Sequence, residues 1–225
     1  MKVKQQYKDD FATIYETIDG NRNHLEPFWR IFFIYGIVNL GFWIMQFVGG
    51  WVIMRNVIQG SVILNVSELL TILIMGAVIL RNYQKNSRNT NRYYQMILLV
   101  YGVFIAFIPL VFKLVSMTRA LEINTLSFNA QNNISMTMVQ LETFAGIFLF
   151  MFSLILVGYI SKKKIWLALA ILHIAIYLFL YVTAGEVLYG IFWIGYQEQY
   201  YILTQIFGYI ILGIYVKNQY RNGVR

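Results

Sequence analysis

Long apolar runs separated by short polar connections dominate the chain. Six runs can be marked, at about 28–54, 62–80, 96–117, 141–160, 165–183 and 187–216. Each is long enough for the roughly 20 residues that an α-helix needs to cross a hydrocarbon core of about 30 Å. The runs do not alternate with period two, as the strands of a transmembrane β-barrel would. The pattern therefore predicts an all-α fold: a polytopic membrane protein in which residues 27–216 form one bundle of about six transmembrane helices.

The first 26 residues have a different pattern. Apolar side chains recur there at i, i+4, i+7, i+8 and i+11, namely Tyr7, Phe11, Ile14, Tyr15 and Ile18. This spacing places them on one stripe of a helix over residues 2–19, which Asp19-Gly20 would end. We expect residues 1–26 to form a cytoplasmic amphipathic segment that lies in the membrane interface. The alternative is that this segment packs against a partner protein.

The last apolar run is too long for a simple crossing. As one helix, residues 187–216 would span about 45 Å, well beyond the hydrocarbon thickness. Either this helix is strongly tilted, or residues 187–196 form a separate short helix or re-entrant piece. In the second case the polar cluster Gln197-Glu198-Gln199 marks the break, near the outer surface. Residues 217–225 follow as a cytoplasmic tail.

The charge composition supports membrane insertion and predicts an orientation. Charged residues make up 12% of the chain, whereas a soluble domain averages roughly 25%. If six segments cross, 15 of the 18 Lys and Arg residues share one side, in 1–30, 81–95, 161–164 and 217–225. The positive-inside rule then predicts a multi-pass protein of the cell membrane with both termini in the cytoplasm. The net charge of +8 therefore needs no nucleic acid as a partner, and the lipid bilayer is the partner we expect.

Polar residues inside the apolar runs are the candidate site, because ionisable groups in a membrane are costly and face a bundle interior or a water-filled cavity. These residues crowd the outer half of the predicted bundle. The candidates for an outward-facing ligand-binding pocket are Gln46, Asn65, Glu68, Lys113 and Glu198. Glu68 is the strongest, since it is the one carboxylate clearly inside an apolar run.

These residues also have structural explanations. Glu68 and Lys113 could form an ion pair with no further role, or Lys113 could extend to the outer headgroups. Glu142 and Glu198 could be ordinary residues of the membrane interface.

Two more buried polar candidates lie deeper in the runs, His173 and Asn39. A proton relay would use a residue such as His173, because histidine titrates near neutral pH. The alternative is a neutral histidine that is hydrogen-bonded across the bundle. Asn39 lies near the middle of the first run, on the same face as Gln46.

Several chemistries lack the residues that they need. The sequence has no cysteine and no aspartate after Asp19, so thiolate nucleophiles, paired intramembrane aspartates and Asp-rich metal sites cannot form. His24 and His173 are the two histidines, and one lies in the N-terminal segment. The motifs of zinc proteases, serine hydrolases and nucleotide-binding loops are missing. We therefore expect no enzymatic activity, no catalytic residue, no metal and no cofactor.

The outline of the chain is similar to that of the membrane subunits of bacterial ABC exporters. They combine an interfacial helix (here 2–19), six helices, both ends inside, and short inserted pieces before the last helix (here 187–198). This resemblance implies a permease subunit with a cytoplasmic ATPase or a second membrane subunit as partner. Substrate-binding components of vitamin-type ECF importers also have about six helices. They usually carry a small-xxx-small motif on the first helix, where this chain has the bulky FWRIFFIYGIVNLGFW.

The leading hypothesis is thus an integral membrane transport subunit. Both resemblances are of outline and lack a diagnostic motif, so other functions stay open. A sensor, an immunity factor or an accessory protein would act through a protein partner, bound by residues 1–26 or 81–95. An intramembrane enzyme is the more remote alternative.

Overall fold

The computed structural model describes residues 28–86, 92–121, 128–183, 186–189 and 192–223. Within these ranges, six helices are long and apolar enough to cross a membrane. The predicted fold class, a six-helix membrane bundle, is therefore confirmed. The predicted N-terminal amphipathic segment, residues 1–26, lies outside the described residues.

The helices are numbered in chain order. α1 is Phe28–Ile53 and α2 is Val57–Asn86. α3 comprises Arg92–Gly102 and Ile108–Leu121, joined by the π-helical turn Val103–Phe107. α4 is Phe128–Ser161 and α5 is Ile165–Thr183. A short antiparallel hairpin follows, with strands β1 (Glu186–Tyr189) and β2 (Phe192–Gly195) in a register that pairs Glu186 with Gly195. α6 comprises Tyr196–Leu203 and Tyr209–Gly223, joined by the π-helical turn Thr204–Gly208.

The irregular turn of α3 has a cause in the sequence. Pro109 has no N–H, so it cannot donate to the carbonyl of Ile105 as a regular helix would require. Just before it, the N–H of Ile108 donates to the carbonyl of Val103, five residues earlier instead of four, so the helix is wider at this turn. The proline is accommodated by this wider turn, and α3 continues to Leu121.

The connection between α1 and α2 is tight. The side-chain Oδ1 of Asn56 accepts the N–H of Gln59 at 3.1 Å and so caps the start of α2. A Cβ atom on Gly60 would lie 2.5 Å from the backbone nitrogen of Ile53. Only glycine fits there, and the two helices leave the turn in direct contact.

Contacts between neighbouring helices give the bundle two distinguishable ends. The hairpin end is where α1 ends, α2 begins and the β1–β2 hairpin lies; the basic end is where α1 begins, α4 passes into α5 and α6 ends. α1 and α6 are antiparallel, since Gly36 meets Ile210 while Gly213 meets Trp29. α4 and α6 therefore run in the same direction.

Three segments differ from the sequence expectation. α2 begins at Val57 instead of residue 62, and the expected connection 118–140 is helical as far as Leu121 and again from Phe128. The long last run is broken, as the second alternative has it, but the separate piece before the break is not a short helix. Its first part is the β1–β2 hairpin, and the break lies at Gly195, just before Gln197-Glu198-Gln199. Residues 196–223 then form the last helix, which contains a span of 24 residues.

The core is built largely from aromatic rings near the basic end. Phe28, Phe32, Tyr94 and Tyr101 are fully buried. Their rings lie against one another, with Phe28 edge-on to Tyr94 at 4.9 Å between centroids. Large apolar side chains cover the outside of the helices as well, among them Ile58, Leu73, Ile171, Phe179 and Val182. Such an outer surface suits lipid and not water.

Candidate functional site

The structure brings three of the predicted residues together in the half of the bundle near the hairpin end. Lys113 on α3 forms an ion pair with Glu68 on α2, and its Nζ donates to Oδ1 of Asn65 at 2.6 Å. The amide of Asn65 in turn donates to the carbonyl of Ser61 at 2.8 Å. The Lys113 side chain is 9% exposed and that of Glu68 is 32% exposed. The cation is thus enclosed, while its carboxylate partner reaches the flank of the bundle.

Glu142 on α4 belongs to the same region, although the sequence did not single it out as a ligand-binding residue. It lies within electrostatic range of both Glu68 and Lys113. Tyr201 on α6 and Tyr35 on α1 also lie within electrostatic range of Glu142. The charged cluster therefore joins α2, α3 and α4 and faces residues of α1 and α6.

Gln46 lies on α1 and contacts α2 at Leu64 and Ser67, on a different face of α2 from this cluster. Its side-chain nitrogen donates to the Ser67 hydroxyl at 2.9 Å and to the Leu64 carbonyl at 3.2 Å. Ser67 also donates to that carbonyl, at 2.9 Å. Gln46 thus fastens α1 to α2, a contact that stabilises the pair of helices.

Glu198 lies in the first turn of α6. Its Oε2 accepts the N–H of Gly195 at 3.1 Å, which satisfies a backbone donor at the start of the helix. A carboxylate there also interacts favourably with the helix dipole. The hydrogen bond of Glu198 therefore stabilises the first turn of α6. Across the bundle, Glu198 is within electrostatic range of Tyr177 on α5.

The two deeper candidates are buried and hydrogen-bonded. Nδ1 of His173 lies 2.7 Å from the hydroxyl of Tyr200, and its ring packs edge-on against Phe150. Its Nε2 is buried without a hydrogen-bond partner. Asn39 donates to the carbonyl of Tyr35, one turn earlier in α1, at 2.9 Å. His173 thus bridges α5 and α6, as expected for a histidine hydrogen-bonded across the bundle.

A network of hydroxyl groups deeper in the bundle was missed by the sequence analysis. Ser153 on α4 lies 2.5 Å from the hydroxyl of Tyr101 and 3.2 Å from that of Tyr209, and it is 2.8 Å from the Leu149 carbonyl. A serine has one proton and two lone pairs. Its one proton is directed to the Leu149 carbonyl and the Tyr209 hydroxyl, so Ser153 accepts the hydrogen bond of Tyr101. The signal in the sequence was the isolated Ser153 in an apolar run.

Gln205 was missed as well. It lies in the π-helical turn of α6, has no exposed surface, and its Nε2 donates to the carbonyl of Gly146 on α4 at 3.2 Å. Its Oε1 has no hydrogen-bond partner. The amide cannot be reversed without losing the bond to Gly146, so the free atom is an acceptor. A buried, unpaired acceptor costs about 1–3 kcal/mol.

These groups form a graded series along the bundle. The charged residues nearest the hairpin end are Glu68, Lys113 and Glu142. One turn deeper along α4 is Gly146, whose carbonyl accepts the buried amide of Gln205 on α6. The Tyr101–Ser153–Tyr209 network follows. Beyond it the layer of Phe28, Phe32 and Tyr94 closes the basic end.

The chain has no match among protein-family models, curated proteins or solved structures. Family membership therefore assigns it neither a substrate nor a partner.

Proposed function

We propose that this multi-pass membrane protein is a transport subunit whose polar site opens towards the hairpin end. The observation that carries the proposal is the one-sided distribution of buried polar groups. Ionisable side chains in a membrane are costly and are retained where they line a solute or ion path. Here the charged side chains lie near the hairpin end, the hydroxyl network lies deeper, and an aromatic layer follows it. A site that is reached from one side and sealed from the other is what alternating access requires of one resting state.

The orientation forms part of the proposal. The basic end carries Arg30, Arg81, Lys162, Lys164 and Lys217, whereas the described turns and helix ends at the hairpin end carry Arg55 and Arg119. By the positive-inside rule the basic end faces the cytoplasm, and the protein resides in the cell membrane with both termini inside. The polar site then opens to the outside.

A source of energy is the next requirement. The chain has no nucleotide-binding loop motif of its own, so in the exporter-like form of the proposal a cytoplasmic ATPase or a second membrane subunit supplies the driving force. The β1–β2 hairpin occupies the place before the last helix where exporter subunits carry short inserted pieces. We propose no enzymatic activity for the chain itself.

Cysteine accessibility tests the proposal directly, because the natural sequence contains no cysteine. Asn65→Cys reports the polar site, and Ala170→Cys reports the sealed half, since Ala170 is buried on α5 near the basic end. A membrane-impermeant maleimide should label Asn65→Cys from outside in intact cells. Ala170→Cys should be protected from outside, but labelled in inside-out vesicles in a fraction of molecules that changes when the cell's ATP is depleted beforehand.

Leu172→Cys on the same helix is the matched control, because Leu172 faces outward into lipid and should react from neither side. If Ala170→Cys stays protected on both sides under every energy condition, the chain does not alternate. A sensor, immunity or accessory role would then replace the transport proposal.

A further inference from the structure

The connection between α4 and α5 consists of three consecutive lysines, here called the lysine turn. α4 ends at Ser161 and α5 begins at Ile165. The residues between them are Lys162, Lys163 and Lys164, and all three are exposed. Glu142 on α4 lies about 30 Å away along the helix. The carboxylates of the described residues all lie towards the hairpin end, at Glu68, Glu142, Glu186 and Glu198.

The lysine turn has a backbone conformation that favours glycine. Lys162 has a φ of 54°, and it is the one non-glycine residue with a left-handed φ in the described part of the chain. Its N–H donates to the Tyr159 carbonyl at 3.4 Å, and the N–H of Lys163 donates to the Gly158 carbonyl at 3.3 Å. These two bonds form a Schellman motif, whose left-handed position is usually glycine because a Cβ atom is crowded there.

Membrane orientation alone does not explain a lysine in this conformation. The positive-inside rule counts basic residues near the ends of the helices and does not require one at a particular position of a turn. Glycine at position 162 would relieve the backbone and leave Lys163 and Lys164 in place. Strained backbone positions persist where a side chain has a function that offsets their cost. The conformation therefore indicates that the ammonium group of Lys162 has such a function.

Two aromatic rings next to the lysine turn indicate the level of the membrane surface. Trp166 on α5 and Tyr215 on α6 pack together with 4.6 Å between ring centroids, and Nζ of Lys163 lies 5.9 Å from the Tyr215 centroid. Trp and Tyr concentrate at the boundary between hydrocarbon and headgroups. The lysine turn lies at the helix ends just outside this boundary, which is the level of the lipid phosphates.

Phosphate is the anion that suits three lysines at this level. A lysine ammonium has three N–H donors and no acceptor, and it binds phosphate as a point charge. The phosphate of phosphatidylglycerol has no cation on its own headgroup, whereas that of phosphatidylcholine does. Free phosphate has the same chemistry, but it is not concentrated at the bilayer surface. Lysine clusters beside a membrane helix are attracted to anionic lipids for this reason.

We propose that the lysine turn binds the phosphate groups of anionic phospholipids in the leaflet at the basic end. Lys162 adds a third ammonium group to those of Lys163 and Lys164, at the cost of its left-handed backbone. The site is separate from the polar residues near the hairpin end, so it does not depend on transport.

Thermal unfolding of the full-length protein in nanodiscs tests the proposal. One set of nanodiscs contains phosphatidylcholine alone, and the other contains equal parts of phosphatidylcholine and phosphatidylglycerol. The unaltered chain should have a Tm roughly 5 °C higher in the anionic set, because each lysine near an anionic surface adds stability. Sodium phosphate added to the phosphatidylcholine set should give no increase over sodium chloride at equal ionic strength.

Lys162→Gly separates the side chain from the backbone. In phosphatidylcholine this variant should have a Tm roughly 2–4 °C above that of the unaltered chain, because glycine relieves the left-handed strain. Its Tm difference between the two sets of nanodiscs should fall by about a third, since one of three ammonium groups is lost. A lysine with only a structural role would produce neither change.

Two charge-matched pairs distinguish the lysine turn from the basic end as a whole. Lys163→Gln combined with Lys164→Gln should remove more than half of the Tm difference between the two sets. Arg30→Gln combined with Lys217→Gln removes the same charge at the same end, where both cations lie over the Trp29 ring, at 5.4 and 4.9 Å from its centroid. This second pair should keep most of the difference.

Four results overturn the proposal. The first is an equal Tm of the unaltered chain in both sets of nanodiscs. The second is an equal loss in the two charge-matched pairs, which would indicate the general field of the basic end. The third is an increase with sodium phosphate in phosphatidylcholine, which would indicate a site for the free anion. The fourth is a lower Tm of Lys162→Gly in phosphatidylcholine, which would indicate that a group of the chain itself, such as an acidic residue of 1–26, holds this side chain.

Discussion

Lys113 and Glu68 form an ion pair between α3 and α2, two helices that are apolar enough to cross a membrane. Lys113 lies about two turns from the end of α3, and Glu68 about three turns from the start of α2. Neither charge would be stable there alone, because an isolated charge in an apolar environment costs far more than a paired one. The pair therefore fixes how the two helices face each other near the hairpin end.

A double-mutant cycle measures this coupling. Glu68→Gln and Lys113→Met should each destabilise the protein, since each leaves a partner without its counter-charge. The double variant should be more stable than the sum of the single effects, with a coupling energy of about 1–3 kcal/mol in detergent-based unfolding. Glu68→Gln combined with Lys163→Met is the control, because these residues lie at opposite ends of the bundle and their effects should add. A coupling below about 0.5 kcal/mol would mean that the pair adds nothing to stability.

The pairing of Lys113 with Glu68 could be anticipated because the cost of burying charge leaves few solutions, and the six spans because hydrophobic length is fixed by the bilayer. The same reasoning could not detect helix outside the membrane. Residues 128–139 are neutral and polar, and no hydropathy pattern distinguishes them from a loop, yet α4 begins at Phe128. The β1–β2 hairpin was also hidden, since a short apolar run does not separate strand from helix.

The roles of single polar residues were less accessible still. The sequence predicted Glu198 and Gln46 as pocket residues, but their hydrogen-bond partners are the Gly195 backbone and Ser67. These partners depend on where α6 starts and on which faces of α1 and α2 meet. Glu142 and Gln205 could not be singled out from the sequence, because their surroundings depend on α4 and α6 lying side by side. The Gln205–Gly146 hydrogen bond joins residues that are 59 positions apart. Tertiary contacts at that separation leave no mark in a single sequence.

The contact between α1 and α6 depends on Gly36. A Cβ atom there would lie 2.8 Å from the Ile206 carbonyl oxygen and 3.0 Å from the Ile210 nitrogen, both backbone atoms that cannot rotate away. Gly36→Ala should force the helices apart and lower the free energy of unfolding by about 1–3 kcal/mol. Gly41→Ala on the same helix is the matched control, since nothing lies within 4 Å of its Cβ position. That variant should be neutral or more stable by up to about 1 kcal/mol, and equal effects at both positions would contradict the close packing.

The predicted orientation can be tested with two exposed positions. Met54→Cys lies in the turn at the hairpin end, and Lys164→Cys lies between α4 and α5 at the basic end. An impermeant thiol reagent should label Met54→Cys in intact cells, and Lys164→Cys only after permeabilisation, because the basic end is predicted to be cytoplasmic. The reverse pattern would invert the orientation. Labelling of both positions from one side would contradict the arrangement of the three helices, α2, α3 and α4, between them.

The hydroxyl network predicts different losses of stability for three variants that each delete one hydroxyl group. Tyr101→Phe and Tyr209→Phe each remove one hydrogen-bond partner of Ser153 and should cost about 1 kcal/mol. Ser153→Ala also deletes one hydroxyl, but it leaves two tyrosine hydroxyls without their partner in fully buried surroundings. Each such orphan costs about 1–3 kcal/mol, so this variant should be the least stable of the three.

The triple variant Tyr101→Phe, Ser153→Ala and Tyr209→Phe discriminates the cause. With no polar group left unpaired, it should regain stability relative to Ser153→Ala alone, because replacing all partners by apolar groups of similar shape is nearly neutral. Thermal unfolding of all four variants in one detergent provides the comparison. If the triple variant is instead the least stable, the hydroxyls contribute through their own bonds, and the argument from unpaired groups fails.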